Sequence, residues 1–157
     1  MGGIIVLANE FGRCNSMKCE EPHNLTDKQQ PDSVCYIVAG DAMQRLMTEK
    51  YPDRKTIPFR EDLSAGNYQG FSIDSEFISQ RASFWDITED EYTQKLYPII
   101  NIDLTDKFVL CFGDDECCRA NLKFMIGYLR SKGYTEHLKI QIVDEYNLDL
   151  LNEYFIE

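Results

Sequence analysis

The chain has 157 residues, 43% of them hydrophobic and 12% aromatic, which suffices for one ordinary core and excludes wholesale disorder. Lys and Arg number 16 against 27 Asp and Glu, a formal net charge of -11 that repels phosphate backbones and anionic headgroups and argues against a nucleic-acid or membrane-surface role. Its apolar opening, residues 1–8, is too short to cross a membrane and follows no basic residue as a signal peptide would, so the 6 cysteines are expected as free thiols in a reducing cytoplasm.

Residues 1–33 read as an appendage, because Gly2, Gly3, Asn9, Gly12, Asn15, Pro22, Asn24 and Pro31 break any sustained periodicity. Ile4 to Leu7 has the composition of a short strand. Cys14, Cys19 and His23 are zinc-ligand types, but a fourth ligand at the usual spacing is missing. A single α/β domain is expected over residues 34–157.

That domain opens on an uncharged, β-rich run at 34–39, which predicts a strand buried on both faces. Gly40-Asp41 ends it, and Ala42, Leu46 and Met47 then mark one side of an amphipathic helix stopped by Pro52. Residues 55–59 predict a second strand, placed at or near a sheet edge by Pro58. From Arg60 to Gly70 the chain carries loop chemistry of the kind that holds ligands. Asp74 or Ser75 is placed to cap a helix with Phe77, Ile78, Ala82 and Trp85 at helical spacing, and Thr88 with Glu91 forms a capping box for the next. A second uncharged apolar run, at 108–112, leads into Gly113-Asp114-Asp115. The helix that follows turns Cys118, Leu122, Met125, Ile126 and Leu129 inward and stops at Gly133. Residues 138–143 alternate as a fourth strand, Asp144 and Glu145 follow it, and Leu148, Leu150, Leu151, Tyr154 and Phe155 fit a closing helix.

Alternating strands and helices imply a three-layer, Rossmann-like α/β fold: a mainly parallel sheet of about four strands in the order 2-1-3-4, with helices on both faces. The first and third strands then sit side by side at a topological switch point, where such sheets bind ligands beyond the strand carboxyl ends. Gly40-Asp41 and Gly113-Asp114 meet there. Each aspartate is either a helix cap or a functional carboxylate, catalytic or metal-binding. Asp115 and Glu116 add acid to the same turn, while Glu61, Asp62, Asp144 and Glu145 end other strands; magnesium, an oxygen-seeking ion, suits such a rim, with Asp114 and Asp115 as ligand candidates. Arg60 and Arg81 are the cations able to hold a carboxylate or phosphate bidentately, or else to pair with a neighbouring acid. Cys117 and Cys118 lie in a first helical turn, but the adjacent carboxylates disfavour a thiolate, Cys118 falls on the apolar stripe, and only His23 and His137 exist to activate either. No Gly-x-Ser-x-Gly elbow, Walker loop or complete dinucleotide fingerprint is present.

Several segments together resemble the bacterial domain-of-unknown-function family 1835: residues 37–42, 59–66, Arg81 before Phe84-Trp85, and 112–122, the last being the most specific. Members often carry proline after the glycine matching Gly66 and glutamine where Arg119 stands. The resemblance implies a shared α/β scaffold and a polar constellation of Asp41, Arg60, Asp62, Arg81, Asp114 and Asn121, and implies no reaction. Asn121, two helical turns beyond Asp114, either joins a ligand site or steadies a nearby loop. The expected function is binding of a small anionic, phosphate- or nucleotide-like metabolite by Gly40, Asp41, Arg60, Asp62, Arg81, Gly113, Asp114 and Asn121, with transfer or hydrolysis by Asp41 or Asp114 as an added possibility. The alternative is a non-enzymatic interaction or regulatory module whose acidic surface recruits a basic partner.

Overall fold

A computed structural model describes residues 33–157. Ile4 to Leu7 and the zinc-ligand types Cys14, Cys19 and His23 lie outside the described residues.

The domain is α/β with one mixed sheet of five strands. In chain order its elements are β1 (Val34–Val38), α1 (Gly40–Lys50), β2 (Lys55–Pro58), α2 (Ser75–Trp85), α3 (Glu89–Lys95), α4 (Tyr97–Ile100), β3 (Lys107–Phe112), α5 (Glu116–Ser131), β4 (Leu138–Val143) and β5 (Leu150–Ile156). The order across the sheet is β2-β1-β3-β4-β5. The first four strands run parallel in the expected order, and β5 joins β4 antiparallel.

Side chains alternate across β3, and the two sets enter different cores. Phe108, Leu110 and Phe112 pack with α2 to α5, while Cys111 joins Met43 and Met47 of α1. Helices therefore cover both faces. The face of α1 that is buried centres on Met43 and Met47, one turn apart, whereas Ala42 is exposed. On the other face Phe124 of α5 is the hub of an aromatic cluster, with Phe77, Phe59 and Tyr128 stacked at 5.2, 5.9 and 6.0 Å between centroids. Offset contacts of this kind add about 0.5–1.5 kcal/mol each beyond area burial.

Local signals set most helix ends. The Asp74 side chain accepts from the Phe77 N–H at 2.9 Å, the Thr88–Glu91 capping box is complete, and Gly133 follows α5 with φ +92°. Among the described residues no helix is long and apolar enough to cross a membrane.

The end of the chain corrects the sequence reading, since residues 150–156 form a strand and not a closing helix. Asp144 builds the turn before it: its carboxylate accepts from the N–H groups of Tyr146 and Asn147 at 2.8 and 3.2 Å, and its carbonyl accepts from Leu148 at 2.8 Å. Leu148 takes φ +66° to complete the reversal. The spacing of 148, 151 and 155 is helical and no apolar–polar alternation marks a strand, but the open edge of β4 offers hydrogen bonds that only a strand can use.

Candidate functional site

Val38 and Cys111 face each other in register on the neighbouring strands β1 and β3. Gly40 and Gly113, each two residues further on, therefore leave adjacent strand ends, and the helices that follow lie on opposite faces of the sheet. This is the switch point that the sequence predicts.

The two glycines differ in purpose. Gly40 has φ +81° with open space where a Cβ would project, so its requirement is backbone conformation alone. Gly113 is crowded: a Cβ there would stand 3.2 Å from Cys118 Sγ and 3.4 Å from Asp115 Oδ2. The aspartates after them differ too. Asp41 caps nothing; Ala39 is the N-cap of α1 and provides no side-chain hydrogen bond. Asp115, one residue beyond the expected Asp114, caps α5 by accepting from the Cys118 N–H at 2.8 Å. Asp114 instead pairs with Arg119, whose guanidinium also donates to the Asp114 carbonyl. Asp41 pairs with Arg60 at 2.8 Å, and Arg60 also donates to the Lys95 carbonyl at 3.2 Å. Both pairs are open to solvent, so each is worth at most about 1 kcal/mol and gives way readily to another anion.

The loop after β2 is held by a different device. Phe59 enters the core, Arg60 turns out, Glu61 turns in and Asp62 turns out again. The side chains of Glu61 and Arg81 are both fully buried, with Arg81 Nε 2.8 Å from Glu61 Oε2 and its Nη2 2.9 Å from Oε1. The remaining three donors of the guanidinium reach the carbonyls of Asp62, Ala65 and Asn67 at 3.0, 2.8 and 3.3 Å. All five N–H groups are thus occupied. The carboxylate is equally saturated, accepting also from the Asp62 N–H, Trp85 Nε1 and the Tyr92 hydroxyl at 2.7, 2.9 and 2.5 Å. Burial by itself raises the Glu61 pKa, and the bonds from Arg81, Tyr92 and Asp62 outweigh it, holding the carboxyl below the ordinary carboxylate range. Burial first, and then the bond to Glu61, push Tyr92 up.

Arg81, expected to bind an anion, therefore has no donor left for one and acts as the clasp of the 61–67 loop. Asn121 works beside it. Fully buried on α5, it accepts from the Leu63 N–H at 2.9 Å and donates to the Glu61 carbonyl at 2.6 Å, the loop-steadying role of the two open to it. Asp62 is tied into its own turn by Ser64, accepting from its N–H at 3.0 Å and from its hydroxyl at 2.5 Å; the hydroxyl bond is the main cause of its lowered pKa.

Cys118 is buried and Cys117 half-buried, and both are free. Burial is the largest cause pushing each thiol up to about 12, reinforced at Cys117 by the Asp62 carboxylate and at Cys118 by Asp115. Thiols raised this far carry little thiolate at neutral pH, which disfavours nucleophilic chemistry at either. The bond from the Cys118 N–H is the largest cause holding the Asp115 carboxyl low, and the hydrogen bond that Asp115 shares with Glu145 is the largest cause raising Glu145. Among the described residues no group of three or more His, Cys, Asp or Glu is placed to hold a metal ion.

Sequence reasoning set Glu61 among the rim acids and so missed the centre of the network, together with Trp85 and Tyr92. A signal was present: Phe77, Arg81 and Trp85 share one helical face, and a guanidinium on an apolar stripe requires a buried acid.

Comparison of the chain with family models, with curated proteins and with solved structures finds no match. The site is accordingly defined by its own geometry: a five-stranded α/β domain with an open switch point, flanked by two solvent-exposed Asp–Arg pairs and backed by one buried clasp.

Proposed function

We propose that the domain binds a small anionic ligand, phosphate- or nucleotide-like, at the carboxyl ends of β1 and β3, with Arg60 as its cation. One observation carries this reading: the N-terminus of α1 has no side-chain cap, and it opens beside Gly40 into free space next to Arg60. Orphan N–H groups and the positive end of the helix dipole favour an anion there. The corresponding terminus of α5 is already satisfied by Asp115. An incoming anion would displace Asp41 from Arg60, leaving Asp41 as the carboxylate nearest the bound group and the candidate acid or base for transfer or hydrolysis. Among the described residues the rim groups no three ligands for a metal, so magnesium would arrive with the ligand's own phosphates. The resemblance to family 1835 supports the same region, because three of its four segments supply Asp41, the 60–66 loop and the start of α5.

The test is a thermal-shift panel of inorganic phosphate, nucleotides and sugar phosphates, with and without magnesium. Stabilisation is expected, approaching about 2.7 kcal/mol at a hundredfold excess over Kd. Arg60→Ala should abolish it without unfolding the domain. Asp41→Asn, which frees Arg60, should tighten a bare anion and weaken a magnesium-dependent one. An unresponsive panel would overturn the reading.

The second reading, a non-enzymatic interaction module, is favoured by a separate feature, the apolar outer strand β5.

A further inference from the structure

The two edges of the sheet are built differently. β2 is four residues long and carries Lys55 and Pro58, a charge and a missing donor that discourage another strand from pairing. β5 is seven residues long, contains neither proline nor glycine, and has Glu153 as its one charged residue. Its side away from β4 has no strand against it among the described residues. Leu150, Leu151, Tyr154 and Phe155 are 53%, 58%, 38% and 64% exposed. Natural edge strands are ordinarily guarded by charge, proline or a covering element; among the described residues β5 has no proline and no strand on its outer side, and Glu153 is its one charge.

We propose that β5 is a dimerisation edge, where the β5 strands of two copies pair antiparallel about a two-fold axis and join the two sheets into one. An antiparallel pair of identical strands is self-complementary, as a two-fold interface must be. With Glu153 on the axis, Leu151 stands opposite Phe155 of the second copy, and Asn152 opposite its Tyr154. The charge balances as well: Glu153 accepts from Gln141 at 2.8 Å and lies 3.5 Å from Lys139 Nζ, so two carboxylates on the axis meet two ammonium groups. The edge is thus a neutral strip on a chain of net charge -11.

The four exposed apolar side chains present on the order of 400 Å², about half of the roughly 800 Å² each partner gives to a stable interface. The strand's open edge and its polar side chains supply further area. Tyr154 also borders a cleft of about 490 Å³ between α5 and the sheet, with Leu122, Ile126 and Ile142 on its floor. A strand laid along β5 would cover the outer side of that cleft. Because the bodies repel and the edge is neutral and apolar, association should tighten with salt. A basic partner held by the acidic surface would do the reverse.

Sedimentation velocity of the full chain, from about 1 to 100 µM at low and high salt, tests this. The expected result is a concentration-dependent dimer, tightened by salt and weakened at least tenfold by Phe155→Lys or Leu151→Lys. Tyr97→Lys, an exposed aromatic on α4, should leave it unchanged. A monomer at the highest concentration, a dimer that the β5 variants leave within twofold, or a dimer loosened by salt would overturn the proposal. Should the lysine variants fail to fold, hydrogen exchange of the unmodified chain decides. Amides of β5 should slow as concentration rises, and concentration-independent exchange would refute the pairing. Neither outcome bears on anion binding at Arg60, which is read from the thermal shift.

Discussion

Arg81→Met removes the guanidinium while keeping most of the aliphatic stem, and it tests whether the buried clasp fixes the 61–67 loop. Glu61 would keep three donors, from Asp62, Trp85 and Tyr92, but lose its counter-charge in a place from which water is excluded. Breaking a buried pair from one side costs about 3–5 kcal/mol, a large part of the 5–15 kcal/mol that holds a domain together. At about 4 °C per kcal/mol for a unit of this size, Tm should fall by roughly 12–20 °C.

The pH dependence sharpens the test. In the unmodified protein the folded Glu61 pKa lies below its ordinary value of 4.5, so its stabilisation is present above that pH and is lost as pH falls through the folded value. Without Arg81 burial dominates and the folded pKa rises. The contribution is then present at acid pH and lost as pH climbs through the new value. The deficit of the variant should therefore be small near pH 4 and full at pH 7. Urea titration followed by the fluorescence of Trp85, the single tryptophan, reads the network directly. Adding Glu61→Leu should cost less than the sum of the single changes, because no charge is left stranded. A loss under about 1 kcal/mol, as for a surface pair, or a loss equal at both pH values, would refute the reasoning.

Gly66→Ala should cost about 2–4 kcal/mol, since φ is +78° and the new Cβ would stand 2.7 Å from Phe84 Cδ1 and 2.8 Å from Arg81 Nη1; an unchanged urea midpoint would contradict this. Gly40→Ala, with nothing near the added Cβ, should lose only the backbone part, roughly 1–2 kcal/mol. Iodoacetamide at neutral pH should modify Cys117 slowly and Cys118 only on unfolding, because burial and neighbouring acids push both thiols up to about 12. Rapid labelling of Cys117 below neutrality, located by peptide mass spectrometry, would revive cysteine chemistry at the start of α5.

What the sequence determines here is local. An uncharged, β-rich run such as 108–112 favours a doubly covered strand, Thr88 and Glu91 satisfy each other's backbone within one turn, and Gly133 takes without strain the positive φ that follows α5. Pro58 excludes β2 from the sheet interior. From such pieces the parallel order and the switch point follow, since right-handed crossovers leave few alternatives. Tertiary structure decides whatever depends on a partner distant in the chain. Asp114 and Asp115 are equally able to cap a helix on paper, and in the fold it is the Asp115 carboxylate that reaches the Cys118 N–H. Arg81 reads as an anion-binding cation until the fold brings Glu61 to it across twenty positions. Asn121 finds its partners nearly sixty residues away, at Leu63 and Glu61. Residues 148–155 carry a helical spacing and no alternation, and the free hydrogen-bonding edge of β4 overrides it because a strand there gains a ladder that a helix cannot form.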